Sequence, residues 1–125
     1  FFNSAWTDES KGKVYQYQMN DDGTVTESSK KEIYDGIKNF LCKIRKNNPS
    51  AKILWVWGML KLDKIPAILQ NAMEDYKKES GDQNVFSLEL DAMEDVENHL
   101  LDKGSRWHPG PKTHELAAKK ISQNL

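Results

Sequence analysis

Residues 52–60 read KILWVWGML, and ILWVWGML (53–60) within it is the longest uncharged apolar stretch of the chain. From Lys52 to Met59 it is rich in β-branched and aromatic residues and shows no alternation with polar ones, which is the habit of a strand buried on both faces and therefore of a parallel sheet. Trp55 and Trp57 flank Val56 and so share one sheet face. Parallel strands need crossover connections, and the flanking sequence supplies helices of the right kind. Upstream, Ser29 and Glu32 have capping-box spacing, and Ile33, Tyr34, Ile37, Phe40, Leu41 and Ile44 recur at three and four. This predicts an amphipathic helix to about Lys46, stopped by the NNP of residues 47–49. Downstream, Ile65, Ile68, Leu69, Ala72, Met73 and Tyr76 predict a second helix, with Pro66 in its first turn and SGD after its end. Asn84 to Leu90 predicts a second short strand.

Further out, KVYQYQMNDDGTVTE (13–27) reads as a hairpin turning on NDDG. At the other end, Pro111 suits the first position of a closing helix whose inward face is predicted to carry His114, Ala117, Ala118 and Ile121. The order is that of an α/β fold, a parallel sheet covered by helices. Two strands fall short of the four to six that are roughly usual for a sheet, so the sheet is expected to be incomplete in this chain. No repeat, low-complexity tract or linker divides it, and residues 1–125 read as a single domain. The opening FFNSAWTDES has no initiator methionine, basic segment or small-residue cleavage pattern. The chain accordingly reads as a piece with more sequence upstream.

Composition excludes several functions. With 18 basic and 19 acidic residues among 125, mixed along the chain, nothing gathers phosphates, so neither nucleic acid nor membrane is an expected partner. Cys42 is the single cysteine, which rules out an internal disulfide and leaves the redox compartment open. The turn Asn20–Gly23 resembles a calcium loop only superficially, for want of a downstream glutamate at the right spacing.

In α/β sheets ligands bind beyond the carboxyl ends of the strands. Here that rule selects Gly58–Leu60, Asp91–Met93 and the loop GSRWHPGPKTHE (104–115), which are expected to converge. His108 and His114 stand six apart around prolines, which does not give two ligands on one helix face; no metal and no cofactor are expected. His108 is placed either to act as a general base, since imidazoles titrate near neutrality, or to be a turn residue without a role. His114 reads as structural, and His99 has nothing convergent near it. Met59 and Met93 follow the strands and read as an acyl-pocket lining or as core filler.

RWHPGPKTHELAAKKI (106–121) resembles the last motif block of the SGNH (GDSL-like) hydrolases, and within them carbohydrate esterase family two, whose pattern is approximately Gly-Ala-Asp-Trp-His-Pro-Ser, then Thr-His and a small-residue helix. YDGIKNFLCKIRKNNPSAKILWVWGML (34–60) resembles that family's helix and succeeding strand, and YKKESGDQNVFSLEL (76–90) its next helix and strand. NSAWTDE (3–9) resembles the residues after its Gly-Thr-Asn-Asp block. The resemblance implies a flavodoxin-like three-layer fold, of which this chain would be the C-terminal portion. It also implies an esterase acting on acetylated carbohydrate or another small ester, by serine acyl transfer. An extracellular or cell-envelope location would go with it. His108 matches the base and Trp107 the tryptophan beside it, as packing or as a wall of the substrate site; Met59 is the further substrate-binding candidate.

The departures are as informative. The sequence contains no Gly-Asp-Ser, so the nucleophile block is absent and the chain by itself is predicted inactive. Arg106 stands where this branch has its orienting aspartate, and Ser105 where other SGNH enzymes have it. A backbone carbonyl, Asp102 or Glu115 remain as partners for the imidazole, and a guanidinium beside it disfavours the imidazolium. The alternative is a noncatalytic carbohydrate-binding or interaction module on the same fold. Exposed sheet edge is expected to favour self-association or pairing with the missing N-terminal portion.

Overall fold

The computed structural model describes residues 6–8, 13–15, 18–60, 64–96, 102, 104 and 108–125, with side chains from residue 18 onward. They belong to two compact units, one of residues 1–49 and 64–82 and one of residues 50–63 and 83–125.

In the first unit, β1 (Trp6–Asp8) pairs antiparallel with β2 (Lys13–Tyr15), Thr7 facing Val14. The expected partner of β2 across NDDG is reduced to a single bridge, Met19 to Val25. Asp22 Oδ1 closes that turn by accepting from Thr24 N (2.9 Å) and Thr24 Oγ1 (2.6 Å). The threonine hydroxyl, foremost, holds the carboxyl below its usual range.

Helix α1 (Glu27–Asn47) starts earlier than the capping box predicts. Thr26 is the N-cap, its Oγ1 accepting from Ser29 N, while Ser29 is buried and its own hydroxyl accepts from Gln18 N (2.8 Å). The Ser29 hydroxyl thus meets a distant amide inside the helix, and the cap is the preceding threonine. Helix α2 (Pro66–Ser80) has Pro66 in its first turn and ends at Gly81. Ile68, Leu69, Ala72, Met73 and Tyr76 are all buried, as their spacing predicts.

Between the two helices Tyr34 bonds Asp75, Lys38 bonds Glu79, and Arg45 forks onto Asp82 through Nε (2.7 Å) and Nη2 (3.2 Å). Partners advance together along both helices, so α1 and α2 run parallel. In sequence, the segment between these helices contains the apolar run of residues 52–60.

In the second unit that run forms β3 (Ile53–Trp57), parallel to β4 (Val85–Glu89) in the register Ile53 to Val85 through Trp57 to Glu89. The predicted parallel pairing is therefore present. Val85 and Ile53 are buried, and the rest of β3 is half-buried rather than enclosed on both faces. Helix α3 (Pro111–Ser122) closes the unit. Lys52 Nζ reaches its end, donating to the carbonyls of Asn124 (2.7 Å) and Leu125 (3.1 Å), and lies 5.0 Å from the centroid of the Phe86 ring.

The face of α3 departs from expectation. Thr113 and Ala117 are buried and Ile121 half-buried, whereas His114 and Ala118 are exposed. The inward stripe runs at i, i+4 and i+8 from Thr113, one residue before the predicted start. The threonine is drawn inward by the carboxylate of Asp102, to which its hydroxyl donates.

Candidate active site

The carboxyl ends of β3 and β4 meet in a tight backbone turn. Gly58 (φ 117°) and Met59 (φ 64°) are consecutive residues in the left-handed half of backbone space. At Gly58 even a Cβ would collide with the backbone of Leu90, so glycine is required for the two strand ends to approach. Met59 has no such freedom, and its conformation costs about 1–2 kcal/mol. It is held by its carbonyl, which accepts from Met93 N (2.9 Å), next to the Leu90 N to Trp57 O bond (2.7 Å).

Beyond this turn is a hollow of about 330 Å³, lined by Trp57, Gly58 and Leu60 from the end of β3, by Glu89, Leu90, Asp91, Ala92 and Asp95 from the end of β4, and by Lys120 of α3. Lys120 Nζ donates to Asp91 Oδ1 (2.8 Å). The Trp57 indole N–H is buried with no hydrogen-bond partner among the described residues. Two of the three places selected by the strand-end rule thus converge. Met59 contributes the backbone turn and is not among the lining residues, and Met93 is buried. No group of three or more His, Cys, Asp or Glu side chains among the described residues is arranged to hold a metal ion.

His108 stands just before α3, exposed, and is not among the residues lining the hollow. Its carbonyl accepts from Gly104 N (2.8 Å). Asp102 is turned away to the start of α3: Oδ1 accepts from Lys112 N (2.7 Å), and Oδ2 from Thr113 N (2.7 Å) and Thr113 Oγ1 (2.7 Å). Partial burial opposes ionisation, but these three bonds together outweigh it and hold the carboxyl below its usual range. Glu115 is exposed on α3. Among the described residues no carboxylate bonds the His108 imidazole. Trp107, Ser105, Arg106 and His99 lie outside the described residues. The role of Asp102 had one signal in the sequence. Pro111 at the first helical position leaves the amides of Lys112 and Thr113 without intrahelical acceptors, and an upstream carboxylate is what such amides need.

A parallel β3–β4 pair whose ends form the floor of a hollow, with a histidine loop entering the closing helix, is an esterase-like fold. The particular likeness is to an acetyl xylan esterase (Est2A) from the rumen bacterium Butyrivibrio proteoclasticus, with a TM-score of 0.84 and 33% sequence identity over 99% of this chain. The chain covers 32% of that enzyme. No family model and no curated protein sequence matches it.

Proposed function

We propose that this chain is the base-bearing segment of a carboxylic-ester hydrolase of the SGNH type, similar to carbohydrate esterase family two and acting on acetylated carbohydrate. The likeness to an acetyl xylan esterase along almost the whole chain carries this reading. In it His108 takes the proton from a serine hydroxyl and returns it to the leaving alcohol, while fixed donors stabilise the tetrahedral oxyanion. The serine belongs to a Gly-Asp-Ser block that this sequence does not contain, so hydrolysis needs that block from outside the chain. The N-terminal portion of the same enzyme is the proposed partner, with Trp107 proposed on the substrate side and Met59 proposed to serve it through the backbone turn beside the hollow. The test is hydrolysis of an acetyl ester by the polypeptide that carries this sequence. His108→Ala is expected to lower kcat by about 10²–10⁴-fold, the usual contribution of a positioned base; equal rates would overturn the assignment.

A second reading, a noncatalytic carbohydrate-binding module, is favoured by one observation: no carboxylate among the described residues bonds the His108 imidazole. Binding of acetylated xylan oligosaccharide with no hydrolysis, before and after His108→Ala, would establish it.

A further inference from the structure

We infer that Asp102 is a positioning residue for His108, acting through the first turn of α3 rather than through the imidazole; the inference rests on the proposed role of His108 as base. Asp102 stands six residues before His108, and its carboxylate takes the amides of Lys112 and Thr113 and the hydroxyl of Thr113, all at 2.7 Å. Thr113 is 2% exposed, so its end of the clamp is anchored in the core. Two further features close the same loop. Gly104 N donates to the His108 carbonyl at 2.8 Å. Gly110 lies so close to the Asp102 backbone carbonyl that any Cβ there would collide with it.

The chain is thus tied together on both sides of His108, by residues 102 and 104 before it and by residues 110, 112 and 113 after it. A carboxylate that orients an imidazole directly fixes the ring; this one fixes the backbone that carries the ring. Charge-assisted bonds to helix amides are short and directional, which suits them to that task. A base must be held within a fraction of an ångström of its productive position, so the expected cost of loosening the clamp falls on kcat and not on KM.

Two measurements test this. Amide hydrogen exchange on the polypeptide that carries this sequence compares wild type with Asp102→Asn, Thr113→Val and Thr113→Ser. The expected result is faster exchange, roughly tenfold, at Lys112, Thr113 and Gly104 together in Asp102→Asn and Thr113→Val, with Thr113→Ser close to wild type. Acceleration confined to Lys112 and Thr113 would mean that Asp102 only caps α3, and would overturn the inference. Amides of β3 and β4 serve as the internal standard. If Asp102→Asn accelerates them too, the variant has lost its fold and the Thr113 pair decides.

The second measurement is acetyl-ester hydrolysis by the polypeptide that carries this sequence, where Thr113→Val should lower kcat about tenfold at unchanged KM and Thr113→Ser should restore it. A change in KM alone would also overturn the inference. Should His108→Ala leave hydrolysis unchanged, the esterase reading fails, while the exchange at Gly104 still reports whether the clamp reaches His108.

Discussion

The α1–α2 pair and the strand-end region are built by different physics. Between the helices, burial is spread over many side chains at helical spacing, with Leu41 at 0% and Ala72 at 0% exposure, and the polar contacts are side chain to side chain. At the ends of β3 and β4 and at the start of α3, beside the side-chain pairs Thr113–Asp102 and Lys120–Asp91, the contacts are backbone to backbone or carboxylate to backbone, and glycines stand where no Cβ fits. A packed helix pair tolerates exchange among apolar residues of similar volume. A site held by backbone approach depends on single atoms. The conformational strain also sits there, at Met59, in keeping with the tendency of strained backbone to gather at functional sites.

Substitutions can test this contrast. Leu41→Ala leaves a cavity in a fully buried position and should cost about 2–5 kcal/mol in denaturant unfolding, whereas Leu41→Met should cost less than about 1.5 kcal/mol. A large loss from Leu41→Met would show that the helix pair is as exacting as the site. Gly58→Ala adds one methyl where the Leu90 backbone already lies and should destabilise by about 1–3 kcal/mol. Met59→Gly relieves a positive φ and should be neutral or stabilising by up to about 1 kcal/mol, read from the same denaturation curves. A destabilising Met59→Gly would mean that its side chain holds the turn.

Acid probes the same difference. The Asp102 carboxyl is depressed below its ordinary 3.8 in the folded chain, so the ionised group favours the folded state at every pH above that value. Its contribution fades as pH falls below 3.8 and is lost through the lower, folded-state value. Protection of the Lys112 and Thr113 amides should therefore be flat from neutrality down to weakly acidic pH and fall only below the ordinary carboxylate range. Loss of protection near neutral pH would remove the carboxylate as its cause. The smallest effect is expected at Lys38 and Glu79. That pair is largely exposed on the glutamate side (63%), and Lys38→Met should shift the melting temperature little, the shift shrinking further with added salt.

Much of the fold is legible because its causes repeat along the chain. The spacing of Ile65 to Tyr76 names α2 and its buried face, and the unbroken KILWVW names a strand of a parallel pair. Single hydrogen bonds carry no such repetition. The capping-box spacing points to Ser29, yet its hydroxyl bonds Gln18, and Thr26 caps α1 instead. Helical spacing turns His114 inward, yet Asp102 pulls Thr113 in and rotates the face of α3 by one residue. At the candidate site, the motif and the rule that ligands gather at strand ends both point to His108, which the structure places just before α3 and outside the lining of the hollow. Its lack of a described carboxylate partner, and the diversion of Asp102 to α3, are not legible in the sequence. The exclusion of Met59 from the lining of the hollow is equally hidden, because it goes with a φ of 64° that no residue type announces.

The α/β class, the order and spacing of the helices and strands, and the likeness of the histidine loop to an esterase motif can all be had from the sequence alone. These rest on periodic burial and on local turn chemistry, which act between residues near in sequence. The destination of the Asp102 carboxylate, the parallel run of α1 and α2, and the meeting of β3 and β4 over Gly58 are settled only in three dimensions. Each of those is a contact between residues far apart in the chain, and its strength depends on distance and direction, which no spacing in the sequence encodes.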